Sequence, residues 1–116
     1  MSEYKTSPPA NPLNESFEVL SHQFRRRILM AVARQNLENE EDIVSESMGD
    51  VHEKDEALET LQLQLYHRHL PKLAESGFIN RDRDSDTITR GPRFEEIEPL
   101  LRLMHDHQEQ LPEDWP

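Results

Sequence analysis

The sequence contains no cysteine. That excludes disulfides and any thiolate metal site, and in so short a chain it favours an intracellular setting over a secreted one. Glycine is nearly as scarce, at three residues in 116, too few and too scattered for a glycine-rich phosphate loop or a nucleophile elbow. No apolar run approaches the roughly 20 residues that span a bilayer, and the polar N-terminus lacks the apolar stretch of a signal peptide. Carboxylates are so numerous that no single pair stands out as an acid–base couple. These absences leave a soluble, cytoplasmic, non-enzymatic protein with no cofactor and no membrane partner.

What is abundant is acid. Against 13 Lys+Arg stand 24 Asp+Glu, for a net charge of −11, which taken alone argues against binding nucleic acid. Two features weaken that objection. Arginine outnumbers lysine ten to three, and the acids spread along nearly the whole chain, a profile that resembles proteins of salt-accumulating halophilic archaea. At molar salt the Debye length is about 3 Å, so net charge hardly repels DNA. Charge is also segregated: residues 25–36 carry four Arg and no acid, whereas residues 37–60 carry ten acids against Lys54.

The chain is organised around residues 61–79. Leu63, Tyr66, Leu70, Leu73 and Ala74 recur at three- and four-residue steps, which places them on one inward helical face. Pro71 lies inside the pattern and is expected to kink or distort the helix. Gly77 supplies the stop. Beyond it, residues 78–93 read as two short strands around a turn at Asp84-Ser85-Asp86.

Elsewhere the pattern predicts a polar, proline-rich tail over residues 1–12 and a short helix near 14–21 with Asn14 as its N-cap. A longer helix follows near 22–35, then one near 40–48 ended by Gly49-Asp50, a loop to about Asp55, and the central helix from there. A last helix runs from Arg93 to about Gln110 with Phe94, Ile97, Leu100, Leu101, Met104 and Leu111 as its stripe, before a tail over residues 112–116. The fold class is therefore mainly α with a short β-hairpin wing, in the order α-α-α-α-β-β-α: a winged helix-turn-helix domain over residues 13–93, followed by a C-terminal helix over 94–111.

The run His69-Leu70-Pro71-Lys72-Leu73-Ala74-Glu75-Ser76-Gly77-Phe78-Ile79 resembles the recognition-helix end of archaeal winged-helix regulators, broadly similar to the ArsR superfamily. Leu65 to Leu73 resembles a large haloarchaeal group of small winged-helix proteins. Leu20-Ser21-His22-Gln23-Phe24-Arg25-Arg26-Arg27-Ile28-Leu29 is similar to the opening of the same domains, and the resemblance covers about residues 14–95. It implies a sequence-specific DNA-binding transcriptional regulator. The acidic stretch before the central helix is longer than the tight turn of that family.

With the predicted apolar face inward, the opposite face of the central helix offers Gln64, His67 and Arg68, with Lys72 at its edge, and the wing adds Arg81, Arg83, Arg90 and Arg93. Arg to guanine and Gln to adenine are the bidentate pairings a major groove favours, so these eight residues are the candidate contacts to double-stranded DNA. The competing account is a solvated helix face beside a mixed-charge hairpin. The run Arg25-Arg26-Arg27 suits phosphates or ion pairs with the acidic block equally well.

The last helix has more apolar surface than a small domain needs, which predicts a homodimer through Ile97, Leu100, Leu101 and Met104. Packing back on the first helix is the alternative use of the same stripe. His67 with His69, and His105 with His107 and Glu109, raise a metal sensor. Residues two apart on a helix diverge, however, and no complete ligand set emerges, so no metal site is assigned. A protein-interaction module using the acidic block, or a ligand- or metal-responsive regulator, are the competing functions.

Overall fold

A computed structural model describes residues 11–48 and 55–116. Most of the expected 1–12 tail lies outside the described residues, as does the expected loop after Gly49 with the acidic stretch just before the central helix. Helix α1 spans Pro12–Leu20. It begins two residues before the expected Asn14 cap because Pro12, whose ring presets a helical φ and whose missing N–H is no loss in a first turn, occupies the opening position behind Asn11. Helix α2, Gln23–Arg34, follows a single extended residue, His22, and puts Ile28, Leu29, Ala31 and Val32 into the core.

The expected hairpin is a three-stranded antiparallel sheet. Strand β1, Leu37–Asn39, pairs with β3, Thr87–Arg90, which also pairs with β2, Ile79–Asp82, giving the order β1-β3-β2. β1 has no signature of its own: Leu37 is exposed and only the register Leu37↔Thr89, Glu38↔Ile88, Asn39↔Thr87 defines it. Its last residue does a second task. The Asn39 side chain accepts hydrogen bonds from Glu41 N (2.9 Å) and Asp42 N (3.3 Å), capping α3, Glu40–Met48, whose acidic first turn also suits the helix dipole.

The central helix is not one regular helix. Helix α4, Asp55–Gln64, passes through a π-turn at Leu65–His69 into α5, Leu70–Glu75. Pro71 is the cause we assign: it has no N–H to offer the carbonyl four residues back and its ring crowds that carbonyl. The chain takes up an extra residue, and the Leu70 N–H reaches back five residues to the Leu65 carbonyl. One inserted residue rotates the preceding turns by about 100°. Leu65 therefore enters the core while Leu63, expected to face inward, is 58% exposed, and Tyr66 is only half-buried. Leu70 and Leu73, beyond the insertion, are buried as expected.

Gly77 ends α5 at φ +85°, with Gly77 N donating to Ala74 O (3.1 Å) and Phe78 N to Leu73 O (3.0 Å), the paired bonds of a Schellman cap. The same turn receives Gly91: Gly91 N donates to Phe78 O (3.0 Å), and a β-carbon at Gly91 would sit 2.4 Å from Gly77 O. Phe78, Ile79, Ile88 and Phe94 close the core from this side. Helix α6, Phe94–Asp106, ends four residues short of the expected Gln110 and gives way to a 3₁₀ turn at Gln108–Gln110.

The stripe of α6 packs largely against the chain's own core. Ile97 and Leu101 are completely buried against the core and Leu100 and Met104 partly so, which corrects the expectation that Ile97 and Leu101 face a second copy. The apolar residue that α6 does present to solvent is Leu103, 57% exposed. The architecture is mainly helical with a small three-stranded antiparallel sheet, a winged helix. Among the described residues no helix is long and apolar enough to cross a membrane.

Candidate nucleic-acid interface

The π-turn lifts His67 and Arg68 into solvent and Gln64 is exposed one residue before it, while Lys72, one turn on in α5, is half-buried. Underneath, the turn is anchored to α2. The Arg25 Nε donates to His69 Nδ1 at 3.1 Å, with Arg25 5% and His69 2% exposed. The His69 ring also lies 5.3 Å from the His22 ring and 6.1 Å from that of Phe24. An Nδ1 that accepts places the ring proton on Nε2, so this imidazole is neutral. Burial, reinforced by Arg25, His22 and Arg68, pulls its pKa down to about 4. Burial and the guanidiniums of Arg25, Arg68 and Arg26 lower His22 likewise, with Glu18 opposing. In a protein of net charge −11 the guanidiniums of Arg25 and Arg68 thus both act on this buried ring.

The four wing arginines divide. Arg81 forms a fork with Glu40 (Nη2 to Oε2 2.8 Å, Nε to Oε1 3.3 Å), each side chain 12% exposed, tying β2 to the first turn of α3. Arg90 caps the C-terminus of α2 through Ala33 O (2.7 Å) and Val32 O (3.3 Å) and lies over the Phe94 ring. Arg93 reaches Glu15, Glu96 and Ser76 O, all at 2.8–2.9 Å, and covers Phe78. Its carboxylate partners raise its pKa further above its ordinary value and lower that of Glu96. Arg83 alone stands exposed in the turn between β2 and β3, among Asp82, Asp84 and Asp86. The structure therefore brings Gln64, His67 and Arg68 together on one exposed segment with Lys72 beside them, sets Arg83 apart at the wing tip, and uses Arg81, Arg90 and Arg93 to hold the scaffold.

Among the described residues no member of the run Arg25-Arg26-Arg27 pairs with a carboxylate of the acidic block. Arg34 pairs with Glu46, and Arg27 donates to Ser47 O (2.9 Å), so part of α2 meets the acidic α3. Arg26 turns the other way, to Leu20 O (2.7 Å). Arg25 and His69, the anchor of the site, escaped the sequence reading. His69 appeared only as half of a His-x-His pair, although it stands three residues after Tyr66 and four before Leu73, at the edge of the apolar face; Pro71, two residues later, was the signal that the period breaks. Among the described residues no cluster of three or more His, Asp or Glu could hold a metal ion.

No curated protein and no solved structure matches this chain. Residues 17–89, from α1 to β3, match the family described as Domain of unknown function (DUF7344), and with well over half its length in that match the chain belongs to this family.

Proposed function

We propose that this protein is a sequence-specific DNA-binding transcriptional regulator of a halophilic archaeon, related in design to ArsR-like winged-helix proteins. The observation that carries the reading is the exposed segment Gln64, His67 and Arg68, pinned from below by the buried Arg25–His69 bond. A reading element needs donors and acceptors at fixed positions on a rigid base. Arg68 supplies the fork that matches guanine, Gln64 the amide that matches adenine, and Lys72 and Arg83 contact phosphates on either side. Arg81, Arg90 and Arg93 act indirectly, by holding the wing at its angle. The regulator works as a homodimer whose contact runs over Leu103 and the neighbouring Leu100, the apolar surface that α6 retains, and it carries no catalytic activity.

The test is fluorescence anisotropy with a labelled, randomised duplex pool in concentrated potassium chloride, enriching bound sequences over successive rounds. The expected result is a saturable, convergent site whose affinity falls by about tenfold or more in Arg68→Ala, as loss of one bidentate base contact requires. A folded sample that enriches no sequence would overturn the proposal.

A further inference from the structure

The C-terminal tail closes one side of a cavity of about 360 Å³ whose apolar walls are Phe17 and Leu20 of α1, Met104 of α6, and Leu111 and Trp115. Its polar members are Ser21, Arg26 and Asp114. Two of the lining side chains carry buried donors with no acceptor: Arg26 Nε and the Trp115 indole Nε1. Buried polar groups are ordinarily satisfied, and both orphans here are donors. The protein's own carboxylate meets Arg26 poorly, with Asp114 Oδ2 at 3.5 Å from Nη2 and the Asp114 side chain 68% exposed. The other polar tether of the tail, Gln23 Nε2 to Asp114 O, is as long, at 3.5 Å. The tail's polar tethers are therefore both long, and it is held over this apolar space mainly by Trp115 packed on the core, beside an under-satisfied guanidinium.

We propose that this cavity binds a small amphipathic monocarboxylate, its apolar body between Phe17, Met104, Leu111 and Trp115 and its carboxylate on Arg26 in place of Asp114. The volume lies in the range of ligand pockets and admits roughly a dozen non-hydrogen atoms, each taking about the 30 Å³ of a liquid water. A charge-assisted bond to Arg26, whose side chain is 14% exposed, distinguishes the anion from a neutral isostere. Part of the cavity is built from residues beyond the 17–89 family match, and its occupation is separable from DNA contact.

Trp115 is the single tryptophan of the chain, so its fluorescence reports on the cavity directly. The full-length protein is titrated with 4-phenylbutyrate and, as the uncharged control, 4-phenylbutyramide. The expected result is a saturable change with the acid and at least about tenfold weaker binding of the amide, the difference a charged hydrogen bond makes. Arg26→Met removes that preference, Asp114→Asn tightens binding of the acid by displacing no competing carboxylate, and Met104→Phe weakens both compounds by filling the space. Circular dichroism establishes that each variant is folded; if Arg26→Met is not, the other two decide. The proposal is overturned by the absence of a saturable response in the folded wild type, by equal affinity for acid and amide, or by Asp114→Asn that leaves binding of the acid unchanged or weaker.

Discussion

Arg25 and His69, 44 residues apart, meet in a buried hydrogen bond of 3.1 Å that joins the first turns of α2 to the underside of the segment carrying Arg68. The bond exists only while His69 is neutral, since a protonated imidazole has no lone pair to offer and would add a charge beside Arg25, His22 and Arg68.

Stability should therefore fall in mild acid. The folded-state pKa of His69 is lowered from 6.5 to about 4, so below the unfolded value the unfolded chain binds a proton that the native state refuses. The contribution is absent as a penalty above pH 6.5, grows as pH falls, and levels off below about 4, reaching on the order of 3 kcal/mol at 1.36 kcal/mol per unit. His22, shifted the same way, adds to it. Urea midpoints taken between pH 7 and 4 measure this loss. His69→Gln, whose amide oxygen still accepts from Arg25 without titrating, is expected to flatten the slope; an unchanged slope would show that other groups carry the acid sensitivity.

The π-turn makes two neighbouring leucines unequal. Leu65→Ala should cost about 2–5 kcal/mol, as for a fully buried side chain, whereas Leu63→Ala, at an exposed position, should change stability by about 0.5 kcal/mol or less. Denaturant unfolding of the two variants decides. The reverse ranking would mean that the helix runs straight through Pro71 with the uninterrupted period.

Arg81 and Glu40 are expected to act as a structural unit. Removing one partner in Arg81→Met or Glu40→Gln leaves the other poorly solvated and should cost roughly 2–3 kcal/mol, discounted from the fully buried case because both ends still touch water. Replacing both together should recover much of the loss, the signature a double-mutant cycle reads as coupling.

Gly91→Ala is expected to destabilise by about 2 kcal/mol or more, because the new methyl would meet backbone on three sides, Gly77 O at 2.4 Å, Ile79 N at 2.7 Å and Phe78 C at 2.8 Å, none of which can turn away as a side chain would. Thermal melts compare it with Gly77→Ala, whose expected cost of about 1–2 kcal/mol comes from φ +85°. A neutral Gly91→Ala would mean that β3 and the α5 cap stand further apart.

Salt should affect DNA binding in an unusual way. Ordinary binders lose affinity steeply as salt rises, through competition with released counterions. In a chain of net charge −11 the same cations screen the protein's own carboxylates, so specific binding should persist in concentrated potassium chloride. Arg83→Ala should weaken binding to all sequences alike and lower the salt slope by about one, whereas Arg68→Ala should relax base preference. Loss of specific binding at molar salt would remove the halophilic part of the reading.

Features governed by a few adjacent residues could be read from the sequence alone. Gly77 ends a helix because its left-handed conformation is a property of glycine, the turn before Thr87 follows from a cluster of short polar residues, and α2 and α3 follow from apolar steps within a dozen positions. From these the winged-helix class could be inferred. What depended on partners distant in the chain could not. β1 is a strand only because β3 lies beside it, and Pro71 announced a distortion without saying that an extra residue would be taken up and the helix face rotated. Arg81, Arg90 and Arg93 looked alike in the sequence with Arg83, since a guanidinium serves a phosphate, a carboxylate or a helix end with the same fork. Only the tertiary structure, by bringing Glu40, the end of α2 and Glu15 within reach of three of them, decided which arginine was left facing solvent.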